Sequence, residues 1–450
     1  MGRLFGTDGV RGEANRELTA LLTYKLGLAS ARVLAQSANS SQKRPSMLIG
    51  ADTRISSDML AAALTAGICA AGVDVYNVGV IPAPAVAYLV RKHDIAAGVV
   101  VSASHNSFGD NGIKFYNGDG FKLSDEIEDK IAELVIHFES IPLTVGADVG
   151  RVLSGIDAEN EYCEFLLDCV SHVDLRGLRI GLDCANGAAY RVAPDAFRRL
   201  GADVSVVSCE PDGININDNC GSTHMDNLTI FASRQGGFDV AFAFDGDGDR
   251  CFALDENGAV LDGDMLMLIL AEYWKQKGIL DNNTIVTTVM SNLGFFNAAN
   301  RLEINALQAS VGDRYVLEKM VAGGHILGGE QSGHIICLNY HTTGDGLLTA
   351  LLTAQIVVAA AKKLSELNTM KKMPQALVNA RVANADKQRV LDDEGICAEI
   401  AALEARFANN GRVLIRPSGT EPLIRVMIEG ENLDEITTEA QRIAELMQSL

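Results

Sequence analysis

No Cys-x-x-Cys pair occurs among the nine cysteines, at positions 69, 163, 169, 184, 209, 220, 251, 337 and 397. The spacing that a cysteine-based zinc site uses is therefore missing. The number is odd, and Cys251 and Cys337 sit in apolar runs, so they read as free core thiols of a reducing compartment. Cations are also scarce. There are 38 Lys and Arg against 58 Asp and Glu, a formal charge of −20. This balance argues against nucleic acid or an anionic membrane as the main partner. A small anionic substrate would need a local cluster of Arg and Lys. No apolar run reaches the ~20 residues of a membrane span. The longest, Leu347–Ala361, is interrupted by Thr349, Thr353 and Gln355 and is expected to be a buried helix. Met1–Gly12 is Gly-rich and lacks the apolar stretch of a secretory signal, so a cytoplasmic protein is expected.

Apolar residues make up 48% of the 450 positions, enough for several cores. Length alone suggests about three domains of ~150 residues. Short β-branched runs alternate with helix-period segments, the pattern of an α/β fold. Boundaries are expected to give domains over 1–153, 154–256, 257–371 and 372–450. The last has a different, α+β character, and its final helix presents Ile436, Ala440, Ile443, Ala444 and Met447 on one face. The first three share a plan in which a short apolar strand runs into a polar, Gly-bearing loop. Val99–Val101 leads to Ser102–Asn106, Val240–Phe244 to Asp245–Arg250, and Ile326–Leu327 to Gly328–His334. The recurrence suggests three similar domains with their loops aimed at one cleft.

Those loops carry the chemistry. Ser102-Ala-Ser104-His105-Asn106 lies at a strand's carboxyl end, where open α/β sheets bind ligands. It fits a nucleophile or phosphate carrier, or else a Ser/Asn turn. Asp245-Gly-Asp247-Gly-Asp249-Arg250 places three carboxylates at alternate positions, with glycines that let them converge on a cation. Hard oxygen ligands suit Mg²⁺ or Ca²⁺. An EF-hand is a poor fit, because Arg250 occupies the position that loop reserves for Gly. With few carboxylates and a phosphate ligand, Mg²⁺ is favoured.

Arg416-Pro-Ser418-Gly419-Thr420-Glu421-Pro-Leu-Ile-Arg425 flanks a donor-rich loop with two guanidiniums, which suits an unreactive phosphate. In Gly329-Glu330-Gln331-Ser332-Gly333-His334, Glu330 and Ser332 suit sugar hydroxyls, or else the Glu and His are structural parts of a Gly-rich loop. His334 suits phosphate or a proton. Phe5–Gly12, with Arg11, reads as either a functional loop or a disordered tail. Arg54 and Lys114 add positive charge beside these loops. Arg314, in Gly312-Asp-Arg314, reads as a salt-bridge partner or else as a further phosphate ligand.

Together and in this order, the motifs resemble those of the α-D-phosphohexomutase superfamily. The resemblance spans essentially the whole chain. Ser102–Ser107 matches the phosphoserine motif, with Ser107 where the pattern has Pro. Asp245–Arg250 matches the metal loop, Gly329–Gly333 the sugar loop, and Arg416–Pro422 the phosphate loop. Phe5–Gly12, Gln331, Thr342–Gly346 and Pro374–Asn379 are most similar to the bacterial branch acting on glucosamine phosphates. Pro417 departs from it, standing where that branch often has Lys.

The resemblance implies a four-domain α/β architecture around a central cleft. Three related α/β domains would be joined by a C-terminal α+β domain of the TATA-box-protein-like kind. It implies interconversion of glucosamine 6-phosphate and glucosamine 1-phosphate, feeding UDP-N-acetylglucosamine synthesis. The alternative is the mannose or glucose branch. It further implies phosphate carried on Ser104, and one Mg²⁺ per subunit held by Ser104, Asp245, Asp247 and Asp249. Glucosamine 1,6-bisphosphate would be the intermediate and activator. Ser104, His105, Lys114, Arg250 and Arg11 would act in catalysis. Glu330, Ser332, His334, Arg416, Ser418, Gly419, Thr420 and Arg425 would bind substrate. The partner would be a phosphosugar, not nucleic acid or membrane, and the protein a monomer or homodimer.

Overall fold

The computed structural model describes residues 4–6, 8–35, 44–408, 410–418 and 422–450. Thr7, Gly419, Thr420 and Glu421 lie outside the described residues. The chain forms two compact units, one of residues 1–290 with 304–369, the other of 291–303 with 370–450.

The first unit holds three mixed sheets with helices between their strands. The first sheet has the order Val10–Glu13, Asp110–Asn117, Ala97–Val101, Ser46–Ala51, Asp74–Val80, Val152–Leu153. Its central strands are parallel and wholly buried in Ala97–Val101 and Ser46–Ala51. That explains why they read as unbroken apolar runs rather than alternating ones. The second sheet centres on Val240–Phe244 and Arg179–Asp183, and the third on Thr284–Thr288 and Leu327–Gly329.

The shared plan read from the sequence acquires a second half in three dimensions. Each buried strand passes into its polar loop and returns as an antiparallel neighbour. Ala97–Val101 returns as Asp110–Asn117, Val240–Phe244 as Cys251–Leu254, and Leu327–Gly329 as Ile335–Cys337. Each loop is thus pinned at both ends by a strand pair. Asp110–Asn117 opens Asp-Asn-Gly, a turn composition, which masks the strand-favouring Ile113, Phe115 and Tyr116 behind it. Pairing on both sides, with Val10–Glu13 as its other neighbour, makes it a strand. The same pairing puts Val10, Arg11 and Gly12, from the segment read as a functional loop or a tail, in the edge strand of this sheet.

His341 ties the three segments together. Its Nε2 donates to the Pro84 carbonyl at 2.8 Å, its Nδ1 accepts from Thr342 N at 2.8 Å, and its ring meets Phe165 edge-on. Burial pushes its pKa down to about 4, as befits a ring whose Nδ1 must stay an acceptor. The apolar run expected to be a buried helix is one, Gly346–Ala360. Among the described residues no helix is long and apolar enough to cross a membrane.

The second unit is built on a three-stranded antiparallel sheet, Gln375–Arg381, Leu423–Gly430 and Gly411–Pro417. The helices Glu394–Phe407 and Leu433–Gln448 pack on it through Leu403, Phe407, Ile436, Ala440, Ile443, Ala444 and Met447. Gly411–Pro417 was not read as a strand from the sequence. The helix Leu293–Arg301 belongs to this unit. Buried Glu429 accepts from Leu293 N at 3.1 Å and from the Asn292 side chain at 2.8 Å.

Candidate active site

Ser104 sits in the left-handed region at φ +52, which costs a non-glycine residue about 1 kcal/mol. Its neighbours hold it there. The Ser102 hydroxyl accepts from Ser104 N at 2.9 Å and donates to Asp52 at 2.6 Å. The Ser104 carbonyl accepts from Arg54 at 3.0 Å and from Asn217 at 2.8 Å. Arg54 also donates to the carbonyls of Asn106, Ser107 and Asp110 and pairs with buried Asp52. Its charge, read from the sequence as available beside the loops, is consumed in holding this one. Strain that persists because surrounding groups over-determine it is characteristic of reactive loops.

The loop aims the Ser104 hydroxyl at the acidic cluster, where it donates to Asp245 Oδ2 at 2.6 Å. Asp245, Asp247 and Asp249 are buried, with ligand oxygens all within 4.8 Å of one another. The two backbones approach so closely that a Cβ on Gly246 would lie 2.5 Å from the Ser104 carbonyl oxygen. Glycine is required there by contact, and at Gly248 by φ +72.

The electrostatics of the cluster are those of a cation site. Burial and two neighbouring carboxylates push Asp245 well above the usual carboxylate range, and burial with Asp247 raises Asp249. Oδ1 of Asp247 and Oδ1 of Asp249 are buried without a hydrogen-bond partner among the described residues. Three convergent carboxylates, two of them with an unpartnered buried oxygen, fit a divalent ion such as Mg²⁺.

Positive groups ring the cluster. Lys114, buried on the return strand, pairs with Asp247 and Asp8 at 2.8 Å each and lies 3.8 Å from Asp249. Burial disfavours its charge, but Asp247, Asp8 and Asp249 outweigh that and hold its pKa above the ordinary lysine value. Arg250 lies 3.9 Å from Asp245 and 3.8 Å from Asp249. Arg11 pairs with Asp8 at 2.5 Å. Burial, with Arg250 and Arg11 nearby, pushes His105 down to about 4, so its ring is neutral at pH 7.

The sugar-loop residues reach the same place. Arg250 and His334 form an isolated antiparallel bridge. His334 Nε2 stands 3.9 Å from Asp249 and 3.5 Å from Asp313. Glu330 accepts from Gly312 N at 3.0 Å, and the Ser332 hydroxyl is buried without a partner among the described residues. Arg314 is the salt-bridge residue it was read as, pairing with Asp125 at 2.7 Å and Glu318 at 3.0 Å.

Arg416 and Arg425 lie in the other unit, directly opposite each other on antiparallel strands. Like charges so placed repel, an arrangement suited to an anion between them. Ser418 N donates to the Leu423 carbonyl at 2.9 Å, and the Ser418 carbonyl accepts from Lys387 at 2.6 Å. Sequence reasoning missed Lys387, Lys122 and Asn217, which have no motif.

Four parts of the phosphoglucomutase/phosphomannomutase family match this chain. The α/β/α domain I matches residues 2–140, domain II 160–258, domain III 262–373 and the C-terminal domain 377–446. Phosphoglucosamine mutases from Clostridium acetobutylicum and Acetivibrio thermocellus are each 52% identical over 450 residues, covering 100% of this chain and 99% of the relative. A crystal structure of a family protein from Burkholderia thailandensis is similar at TM-score 0.81 and 22% identity, over 98% of this chain and 97% of that one. Aspergillus fumigatus N-acetylphosphoglucosamine mutase, solved with GlcNAc-6P and magnesium, is similar at TM-score 0.68 and 19% identity, over 99% and 95%. At those identities the structures speak for the fold alone. The family match over nearly the whole length, on a fold that brings the serine, acidic and sugar loops together, makes this chain a member of the phosphoglucomutase/phosphomannomutase family of phosphohexomutases.

Proposed function

We propose that the chain is a phosphoglucosamine mutase, interconverting glucosamine 6-phosphate and glucosamine 1-phosphate through phosphoserine 104 and a bound 1,6-bisphosphate. The observation that carries the chemistry is the Ser104 hydroxyl 2.6 Å from Asp245, within a buried carboxylate triad paired with Lys114. The choice of sugar rests on full-length relatives at 52% identity.

Asp245, Asp247 and Asp249, with phosphate on Ser104, are the residues that would hold one Mg²⁺. Bound there, it would neutralise charge on the transferring phosphoryl group. Ser104 stores the phosphoryl group. In the forward half-reaction O1 of the 6-phosphate attacks that phosphorus, the bond from phosphorus to the Ser104 oxygen breaks, and the proton leaving the sugar hydroxyl ends on the freed Ser104 oxygen. The bisphosphate then turns over, and Ser104 takes the phosphate from O6. Lys114 and Arg250 stabilise the three equatorial oxygens in transfer. Arg11 adds positive charge beside them, and neutral His105 orients the loop without adding charge. Glu330 and Ser332 hold sugar hydroxyls, with His334 beside them. Arg416, Ser418, Gly419, Thr420 and Arg425 bind the phosphate that does not react.

Phosphopeptide mass spectrometry after incubation with a sugar 1,6-bisphosphate tests the carrier. Phosphate on Ser104 is expected, and its absence would overturn the mechanism. Comparing kcat/KM for glucosamine, glucose and mannose 6-phosphates with Mg²⁺ tests the sugar. A preference for mannose or glucose would place the chain in the other branch.

A further inference from the structure

Five side chains of alternating charge run from the third sheet's segment to the acidic loop: Asp313, Lys122, Asp8, Lys114 and Asp247. Lys122 Nζ pairs with Asp313 and lies 2.6 Å from Asp8 Oδ1. Lys114 Nζ is 2.8 Å from both Asp8 Oδ2 and Asp247 Oδ2. No motif marks Lys122. The Asn117-Gly-Asp-Gly120 turn puts it there. Asn117 Oδ1 accepts from Asp119 N and Phe121 N at 3.0 Å each, Gly120 is at φ +78, and Tyr116 bridges Lys122 antiparallel. The Lys122 side chain is only 15% exposed.

We propose that Lys122 is a positioning residue for phosphoryl transfer, holding Lys114 against the acidic loop and the sugar loop in register with Ser104. The proposal rests on the mutase reading above. Asp8 faces Lys114, Lys122 and Arg11. With Lys122 in place, Asp8 is neutralised from one side and Lys114 divides itself between Asp8 and Asp247. Without it, Asp8 and Asp313 lose their shared cation, and Lys114 is drawn toward Asp8 and away from the transfer site. At its other end, Asp313 stands 3.5 Å from His334, and its neighbour Gly312 donates to Glu330. Lys122 therefore joins the groups that hold the sugar to the groups that hold the phosphoryl. A displacement of about 1 Å between reacting groups costs up to roughly 100-fold in rate.

The test is single-turnover transfer from phosphoserine 104 to glucosamine 6-phosphate in the full-length enzyme, with steady-state kcat and KM. Lys122→Met is expected to slow transfer about 10- to 100-fold, with KM within about threefold of wild type. Lys122→Arg should recover most of the rate because the charge is kept. The double variant Lys122→Met with Asp313→Asn removes one cation and one anion together. It should transfer faster than Lys122→Met alone. A Lys122→Met transfer rate within twofold of wild type would overturn the proposal. So would a loss that simply follows the folded fraction by circular dichroism, or Arg performing no better than Met. A wild-type chain that transfers nothing would overturn the mutase reading and this proposal together, whereas an active wild type with an unimpaired Lys122→Met removes only this one.

Discussion

The Ser104 centre and the Arg416–Arg425 strand pair, the two groups proposed to handle phosphate, are built by opposite means. Around Ser104 the charges are buried and interlocked, and the backbone is held in a conformation that ordinary serines avoid. The two arginines are half-buried and stand opposite each other on neighbouring strands of a small sheet. A centre that must stabilise charge in motion needs fixed dipoles and excluded water. A group that only grips an unreactive phosphate needs well-placed donors.

The comparison is broken most severely at the serine itself. Ser104→Ala is expected to lower kcat by about 10⁴-fold or more with little change in melting temperature, measured by a coupled assay and thermal unfolding. Next comes the metal. Chelation with EDTA should abolish turnover, and added Mg²⁺ should restore it. Asp247→Ala should leave an activity about 10²- to 10³-fold lower that no concentration of Mg²⁺ rescues fully. Gly246→Ala tests whether close approach, rather than charge, sets the geometry. A Cβ 2.5 Å from the Ser104 carbonyl should destabilise the fold by about 1–3 kcal/mol and reduce kcat alongside it.

In the other region Arg425→Ala should act on binding. One lost charge-assisted hydrogen bond, about 1.5–3 kcal/mol, raises KM about 10- to 100-fold while kcat falls less. If instead kcat collapsed at constant KM, the proposed division of labour between the regions would be wrong.

The smallest effect concerns a buried carboxyl behind the acidic loop. Asp345 accepts from Leu348 N and Tyr162 OH at 2.9 Å each, and burial raises its pKa to about 7. The folded pKa lies above the unfolded value. Its contribution is therefore complete below about pH 4 and is lost as pH rises through about 7. Asp345→Asn keeps an acceptor for the helix cap and removes the titration. Its melting temperature relative to wild type should rise between pH 5 and pH 8. An unchanged difference would show that Asp345 does not ionise in this window.

Much of the fold was legible because buried parallel strands are continuous apolar runs, as at Val240–Phe244, whose sequence and structural limits coincide. Asp110–Asn117 was less legible, since its Asp-Asn-Gly opening has turn composition and the segment is held as strand by partners on both sides. Within the site, Ser104 and the three aspartates announced themselves through local spacing. Arg54 announced itself too, as a cation, but its role was misjudged. From the sequence it was spare charge; in the structure it donates to four loop carbonyls.

The sequence by itself determined the chemical content of the site: a serine at a strand end, three carboxylates spaced to converge, and a donor-rich loop between two arginines. Local spacing suffices for that, because each group is assembled within a few residues. The tertiary structure decided which charges are left to act. Ser104 meets Asp245 across 141 positions and Lys122 meets Asp313 across 191. Coulomb energy depends on distance and on the dielectric around the pair. Neither quantity is written in the order of residues along the chain.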